Sequence, residues 1–398
     1  MIARRDFLTA GAAATVAAAG HTPQVSAAAA ARIERRVKLG KTGLEVSDIG
    51  FGSSSSADPA LVRHALDRGV TYFDTAESYR GGRAEKAIGK GLHGVRDRVV
   101  VASKTKAGAR EDRASMMRAL EGSLHRLRTD YVDIYYNHAV NNVARMRNDE
   151  WAEFTELAKR QGKIRFRGMS GHGSKLVPCL HYALDNDLVD VVLVAFNFGQ
   201  DPDFYDRLKH TFHFVAIQEA LPRALKKARA KNVGVVAMKT LMGARLNDMR
   251  PYERDGHTFS QAAFRWVLSS PLVDSLIVSM RKTSQIDEYV SASGEPKLAL
   301  EDLHQLELYA ALQGERYCRP GCDACAGSCP ENVPIAEVLR TRMYAVDYDD
   351  VAYAREDYAK LDIAAGACIG CAHRACMGAC PHNLPIAALT RDAAMRLG

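Results

Sequence analysis

Short runs of β-prone apolar residues alternate, from about residue 49 to residue 293, with longer segments whose apolar positions recur at helical spacing. The runs are Ile49–Gly52, Val70–Phe73, Val99–Ser103, Tyr131–Tyr136, Ile164–Ser170, Val189–Phe196, Val233–Met238 and Ser275–Val278. Between and after them, helices are predicted over Pro59–Arg68, Ala84–Leu92, Ala114–Arg126, Glu150–Arg160, Leu176–Asp185, Leu221–Ala230, Phe259–Ser269 and Gln285–Ser293. Asp58 and Pro59 supply an N-cap and a first helical position for the first of these. Val189–Phe196 is apolar throughout, the mark of a strand buried on both faces. Ahead of the first run, Val37–Leu39 and Leu44–Val46 flank Gly40-Lys41-Thr42-Gly43 and read as a hairpin. Eight strand–helix alternations over about 260 residues have the size of a (β/α)8 barrel, an α/β fold. Long loops around 199–213 and 243–257 follow the sixth and seventh strands, where substrate selection is expected.

The barrel accounts for residues 35–300 and leaves both ends of the 398-residue chain over. The N-terminus has Arg4-Arg5, then an alanine-rich apolar run, then Ala27-Ala28-Ala29, a signal-peptide layout over residues 1–31. Arg4-Arg5-Asp6-Phe7-Leu8 resembles a twin-arginine export signal, which implies a periplasmic or exported protein. Eight of the nine cysteines lie after residue 317, which marks residues 318–398 as a separate module, with 301–317 as a linker helix. No internal stretch is long and apolar enough to span a membrane. The net charge of +7 is spread along the chain without a basic, aromatic-laced block, which argues against nucleic-acid binding.

The candidate chemistry sits at strand ends. The second strand ends at Asp74, and Tyr79 follows on a turn marked by Gly81-Gly82. The third strand ends at Lys104, and the fourth near His138. In a parallel barrel these ends share one face, where the chemistry takes place. An ammonium beside a phenol lowers the phenol pKa from its usual value near 10, so Lys104 is expected to lower that of Tyr79. Asp74 would hold Lys104 charged, and His138 would orient a substrate oxygen. Each residue alone also suits a structural role, as a cap, a loop aromatic or a solvated charge. Their common face is what favours chemistry.

Residues 37–293 resemble the aldo-keto reductase family, through VKLGKTGLEVSDIGFG, FDTAESYRGGRAEKAIGKGL, VVVASKT, the Asp133–His138 run and GVVAMKTLMG. The resemblance implies a carbonyl reductase that uses NADP(H) and an Asp-Tyr-Lys-His tetrad, here Asp74, Tyr79, Lys104 and His138. It places the cofactor on Gly52, Ser53, Ser170, Met238, Leu241, Gly243, Arg281, Lys282, Gln285 and Glu288. Arg281 and Lys282 would pair with a 2′-phosphate, although an exposed basic helix start is the competing reading. The family's asparagine after Ser170 is Gly171 here, and its strand-six glutamine is Leu193. Its nicotinamide-stacking tyrosine is Met238, and Tyr289 replaces a further asparagine.

The cysteines fall into two similar groups. Cys318, Cys322, Cys325 and Cys329-Pro330 form the first, and Cys368, Cys371, Cys376 and Cys380-Pro381 the second. They resemble ferredoxin-type ligation of two [4Fe–4S] clusters, with spacings one residue longer in the first group and two longer in the second. Because the last cysteine of each run then serves the other cluster, the resemblance implies sets Cys318/Cys322/Cys325/Cys380 and Cys368/Cys371/Cys376/Cys329. The residues between the groups, 335–362, have helical character, as in helical ferredoxin-like domains. Paired zinc sites and disulfides compete for the same cysteines. Cys179 reads as a small buried apolar residue.

Together these features describe an exported oxidoreductase that exchanges hydride between NADP(H) and a small polar carbonyl or alcohol, with an accessory iron–sulfur domain and an electron-transfer protein as a candidate partner. A cofactor carried through export would need a Kd of roughly nM. The alternative is an iron–sulfur electron-transfer protein that uses the barrel as scaffold. A structural iron–sulfur tail that holds subunits or partners is a third reading.

Overall fold

The computed structural model describes residues 31–172, 175–200, 220–241, 249–254, 256–294, 298–312, 318, 324–346, 351–361, 363–381 and 383–398. The signal-like segment to residue 30, Gly243, Cys322 and most of the two substrate-loop stretches lie outside the described residues.

Strands β1 (Arg36–Lys38) and β2 (Glu45–Ser47) form an antiparallel hairpin. Eight parallel strands then close a barrel: β3 (Ile49–Gly52), β4 (Tyr72–Asp74), β5 (Val100–Thr105), β6 (Val132–Asn137), β7 (Ile164–Gly171), β8 (Val191–Ala195), β9 (Gly234–Met238) and β10 (Ser275–Ser279). Each pairs with the next, and β10 pairs with β3 through Leu276↔Ile49. Helices α1 (Pro59–Asp67), α2 (Arg83–Gly91), α3 (Arg113–Leu127), α4 (Val143–Met146), α5 (Asp149–Arg160), α6 (Leu176–Asp185), α7 (Leu221–Ala230), α8 (Phe259–Ser269) and α9 (Thr283–Val290) flank the strands. The helix starts follow local chemistry. Asp58 accepts from the Ala60 N–H, Asp112 from that of Ser115, and Thr258 with Gln261 makes a reciprocal capping box. The short α4 was not expected from periodicity. One turn is too short to show any, and the Asn142 cap, which accepts from the Ala144 N–H, is its only local signal.

The barrel interior is filled rather than hollow. Tyr72, Val100, Ala102, Ile134, Tyr136, Val191, Leu193, Val236 and Ile277 cluster inside, and the hairpin closes them off with Leu39, Leu44 and Val46. The hydroxyls of Tyr72 and Tyr136 meet at 3.1 Å, which satisfies both inside this apolar layer. Outside, α10 (Leu300–Leu312) packs along α8. Phe259 stacks on Tyr309 at 4.0 Å, and Arg265 donates to the buried Asp302 at 2.8 Å. The segment expected as a linker is therefore, over its described part, a helix of the barrel wall. It covers α8 on its outer face, which explains why α8 is buried nearly all round.

The C-terminal module holds α11 (Ile335–Val346), α12 (Val351–Tyr358) and α13 (Ile386–Leu397). The sequence repeat is visible in its geometry. Asn332 and Asn383 each follow a Cys-Pro pair by two residues, and each takes a left-handed φ of 53°. Each also donates its N–H to the carbonyl of the cysteine three residues back, at 3.0 and 3.1 Å. Asparagine tolerates this conformation better than most residues. α11 and α13 then start at the equivalent Ile335 and Ile386 and pack on each other. The module meets the barrel at the turn that carries Tyr79. The Arg80 guanidinium lies 5.7 Å over the Tyr353 ring, and Arg83 pairs with Glu356 at 3.2 Å.

Two glycines in the hairpin turn separate two energetic effects. Gly40 (φ 47°) has its Cβ position only 2.4 Å from the Asn232 carbonyl, where the hairpin seals the barrel floor. Gly43 (φ 72°) has open space around it. Gly43→Ala is expected to cost only the left-handed backbone penalty, about 1–2 kcal/mol. Gly40→Ala adds overpacking and should cost roughly 2–5 kcal/mol. Urea unfolding of the two variants checks this, and equal midpoints would show that the floor contact is soft.

Candidate active site

β4, β5 and β6 are adjacent in the barrel, so register alone brings their ends together: Asp74 lies opposite Ala102, and Lys104 opposite Tyr136. Lys104 Nζ donates to Asp74 Oδ1 at 2.5 Å and to the Thr75 carbonyl at 2.6 Å. Both side chains are buried, at 1% exposure each. The turn after β4 brings Tyr79 back over this pair. Its ring centroid is 4.9 Å from Lys104 Nζ and 5.5 Å from the His138 ring, which it meets edge-on. The structure thus gathers all four sequence-derived residues.

Burial governs their charges. It raises the Asp74 carboxyl, against the pull of Lys104, and lowers the Lys104 ammonium, against the pull of Asp74. Burial thus works against both charges, and their mutual contact offsets it. Burial also raises the Tyr79 phenol well above its usual value, helped by the negative field of Asp74 and by Tyr353 and Tyr344 of the C-terminal module. This corrects the expectation that Lys104 lowers that pKa. Desolvation under the module outweighs the neighbouring ammonium, whose charge Asp74 largely cancels. Tyr79 therefore keeps its proton, which suits a donor. Burial, then Lys104, Lys106, His172 and Arg145, lowers His138 and leaves it a neutral imidazole.

The mouth of the barrel is lined with polar atoms that lack partners. Asp74 Oδ2, Thr75 Oγ1, His138 Nδ1, Asn137 Nδ2, Thr240 Oγ1 and Ser55 Oγ are buried without a hydrogen bond, all at or just beyond strand C-termini. Orphaned groups on this scale are costly unless a polar ligand satisfies them. The donor set suits a cofactor amide and a substrate oxygen.

The sequence-derived cofactor residues are placed as follows. Gly52 leaves no room for a side chain, because a Cβ would stand 3.0 Å from the Val278 carbonyl. Ser53 Oγ donates to the Asp74 carbonyl, and Ser170 Oγ accepts from the Ala139 N–H. Met238 and Leu241 flank the end of β9 and are partly buried. Lys282 is exposed at the start of α9. Gln285 accepts from the Arg281 N–H and donates to the Tyr289 hydroxyl, while Glu288 accepts from Thr258. Gln285 and Glu288 thus hold α9 in place. Leu193 is fully buried in the inner barrel cluster, so the position of the family glutamine offers only apolar surface.

Other residues of the site have no sequence signal of comparable strength. Arg145, on the one-turn α4, donates to the carbonyls of Ala107, Ala139 and His138 and to Asn137 Oδ1 at 2.6–2.9 Å. It clamps the loop on which His138 sits. Glu85 is fully buried and accepts from Ser103 and Arg126, which fixes α2 against β5. Only the contiguous Asn142-to-Arg145 cap pattern hints at the first, and nothing in one dimension marks the second.

The aldo/keto reductase family model matches residues 48–258, more than half of the chain. The chain belongs to the aldo/keto reductase family. As a member it is an oxidoreductase acting on carbonyl or alcohol groups. This aldo/keto reductase is 25% identical to the uncharacterized oxidoreductase YqkF of Bacillus subtilis, over 69% of its own length and 95% of that protein's. It is 27% identical to an L-galactose dehydrogenase of Arabidopsis thaliana, over 66% and 89%. A solved aldo-keto reductase of Klebsiella pneumoniae in complex with NADPH superposes with a TM-score of 0.52 at 25% identity, over 71% and 96% of the two chains. These matches cover about two thirds of the reductase chain.

The remaining cysteines lie in the C-terminal module. Cys329, Cys368, Cys371 and Cys376 line one cavity with Pro330, Ile335, Ile386 and Thr390. Burial and the three neighbouring thiols raise Cys376. Cys318, Cys325 and Cys380 pack partly buried around Ile335, Leu339, Leu384 and Ile386. None of the described cysteines forms a disulfide. Among the described residues no three His, Cys, Asp or Glu side chains converge tightly enough for a single metal ion. Cys179 is buried in α6, as expected of a small apolar residue.

Two predictions follow from this geometry. Lys104→Met strands Asp74 and should cost about 3–5 kcal/mol, whereas the Asp74→Asn/Lys104→Met double variant should cost much less. Burial raises the folded Asp74 carboxyl above its unfolded value, so the Lys104→Met deficit should deepen as pH rises above about 4. The double variant should lack that slope in urea titrations. Arg145→Ala and Arg145→Lys should both lower kcat by about 10- to 100-fold, because lysine cannot reproduce four forked donations. Stopped-flow turnover with unchanged melting temperature would identify a positioning role, and full rescue by lysine would exclude it.

Proposed function

We propose that this protein reduces a small polar carbonyl compound, or oxidises the matching alcohol, with NADP(H) bound across the barrel mouth. The observation that carries this reading is the buried Asp74–Lys104 pair beneath Tyr79 and beside His138. Bound NADPH would supply hydride to the carbonyl carbon. The chain's own residues do the rest. Tyr79 donates its proton to the carbonyl oxygen as negative charge develops there. Lys104, held in place by Asp74, then steadies the resulting phenolate, which desolvation and the Asp74 charge would disfavour. Neutral His138 donates a hydrogen bond that orients the oxygen. Ser170, Met238, Leu241 and Thr240 are suited to hold the nicotinamide end, and Arg281 and Lys282 the adenosine phosphate. The relative solved with NADPH supports the cofactor choice.

The reading extends to the C-terminal module, which would hold two [4Fe–4S] clusters. The four thiols around one cavity, Cys329, Cys368, Cys371 and Cys376, are the set that crosswise ligation requires. A cubane would take these four thiolates as ligands, one to each iron. The clusters would supply one-electron transfer or structural support. Residues 1–31 would direct export by the twin-arginine route, so the cofactor would travel bound.

The test uses full-length protein isolated anaerobically after export. Denatured supernatant should yield NADP(H) near one per chain and iron near eight per chain, as two cubanes require. Tyr79→Phe should lower the aldehyde-dependent oxidation of NADPH by about 10²–10⁴-fold. Full iron with no nicotinamide would move the weight to the electron-transfer reading.

A further inference from the structure

The barrel mouth carries more positive charge than the tetrad uses. Lys106 follows β5 directly, His172 follows β7, and Lys239 follows β9. All three therefore stand at strand C-termini, on the face that holds Asp74, Tyr79 and His138. Among the described residues, none of the three forms an ion pair. Lys239 is half-buried and held at a left-handed φ of 56°, an uncommon conformation for a residue with a side chain. A third cation, besides Lys106 and Lys239, comes from above. Arg340 of α11 is fixed by Asp357 at 2.6 Å and Glu337 at 2.9 Å, and it reaches the Tyr344 hydroxyl at 3.4 Å.

These cations feel one another. Burial, then the Arg340 guanidinium, lowers the Lys239 ammonium to about 8, with Glu337 offsetting part of the effect. Lys239, burial, Arg340 and Lys106 keep His172 from charging, although the ring is exposed and water screens part of that field. Like charges brought together cost energy in the folded state, and the carboxylates of Asp357 and Glu337 pair with Arg340 and with none of the other three; such sites are candidates for ligand binding. Neighbouring aromatics complete the enclosure. Tyr344 and Tyr353 meet edge-on at 4.8 Å, and the Tyr353 ring lies under Arg80, next in sequence to Tyr79. The module thus roofs the mouth from the Tyr79 side, and Arg340 lies close enough for its charge to act on Lys239.

We propose that the C-terminal module completes the substrate pocket, and that Arg340, Lys239, Lys106 and His172 together receive an anionic group, a carboxylate or phosphate, on the carbonyl substrate. The inference rests on the reductase reading and narrows its substrate class. Tyr344 and Tyr353 wall the uncharged part of the substrate beside Tyr79. The anion would sit apart from Arg281 and Lys282, which begin α9 after a different strand, β10.

The test compares 4-carboxybenzaldehyde with its methyl ester, which differ in charge but keep the same reacting carbonyl. Calorimetry on the full-length holoprotein measures binding whether or not turnover follows. The carboxylate should bind at least about tenfold more tightly than the ester, as a charge-assisted contact implies. Lys239→Gln and Arg340→Gln should each cut that preference by about tenfold, with the change in KM rather than kcat. Equal binding of the two probes by the wild-type protein would overturn the proposal. So would a Lys239→Gln variant that weakens NADPH binding and leaves the probe preference intact, since the charge would then belong to the cofactor. Selective binding without turnover of either aldehyde would uphold the anion site and count against the reductase reading instead.

Discussion

The buried ion pair between Asp74 and Lys104 is the constraint on which the site depends. Two charges held at 1% exposure are expensive, and only their short mutual contact and the Thr75 carbonyl offset the loss of water. That contact requires β4 and β5 to keep their register. The register in turn depends on the filled barrel interior and on the hairpin that seals its floor. A change at Gly40, far from the chemistry, therefore bears on the same structure that holds Lys104 under Tyr79.

The electrostatics of the site follow from desolvation more than from pairing. Asp74 and Tyr79 are both raised and Lys104 and His138 both lowered, and burial is the first cause in every case. Burial thus opposes charge on all four groups. Such a site favours transfer of a proton to a developing alkoxide over storage of charge in the resting state. The C-terminal module contributes directly to this, because Tyr344 and Tyr353 lie close enough to raise the Tyr79 phenol.

The module is thus more than an appendage. Its two halves repeat the same turn and helix start, at Asn332 and Ile335 and again at Asn383 and Ile386. One half places Arg340 and Tyr344 toward the barrel, while the cysteines of both halves cluster behind them. This arrangement ties what happens among the cysteines to the geometry over the active site through a single helix, α11. The helix α10 joins the two parts along the barrel wall, packed on α8 through Phe259 and Tyr309.

Much of the molecule was legible from one dimension, because it rests on short-range periodicity. The eight strands, nearly all the helices and the strand-end positions of Asp74, Lys104 and His138 follow from apolar alternation, and the cysteine repeat follows from spacing. Register, burial and long-range contact were not legible. Nothing in the sequence says that Arg145 clamps the His138 loop, or that α10 belongs to the wall. The direction of the Tyr79 shift was misjudged for the same reason. A neighbouring ammonium can be read from strand order, but the burial that outweighs it cannot, nor can the effect of Tyr344 and Tyr353, more than 250 residues away in sequence. Sequence pattern fixes which groups reach the barrel mouth. Only the folded chain decides how much water remains there, and that water sets their charge.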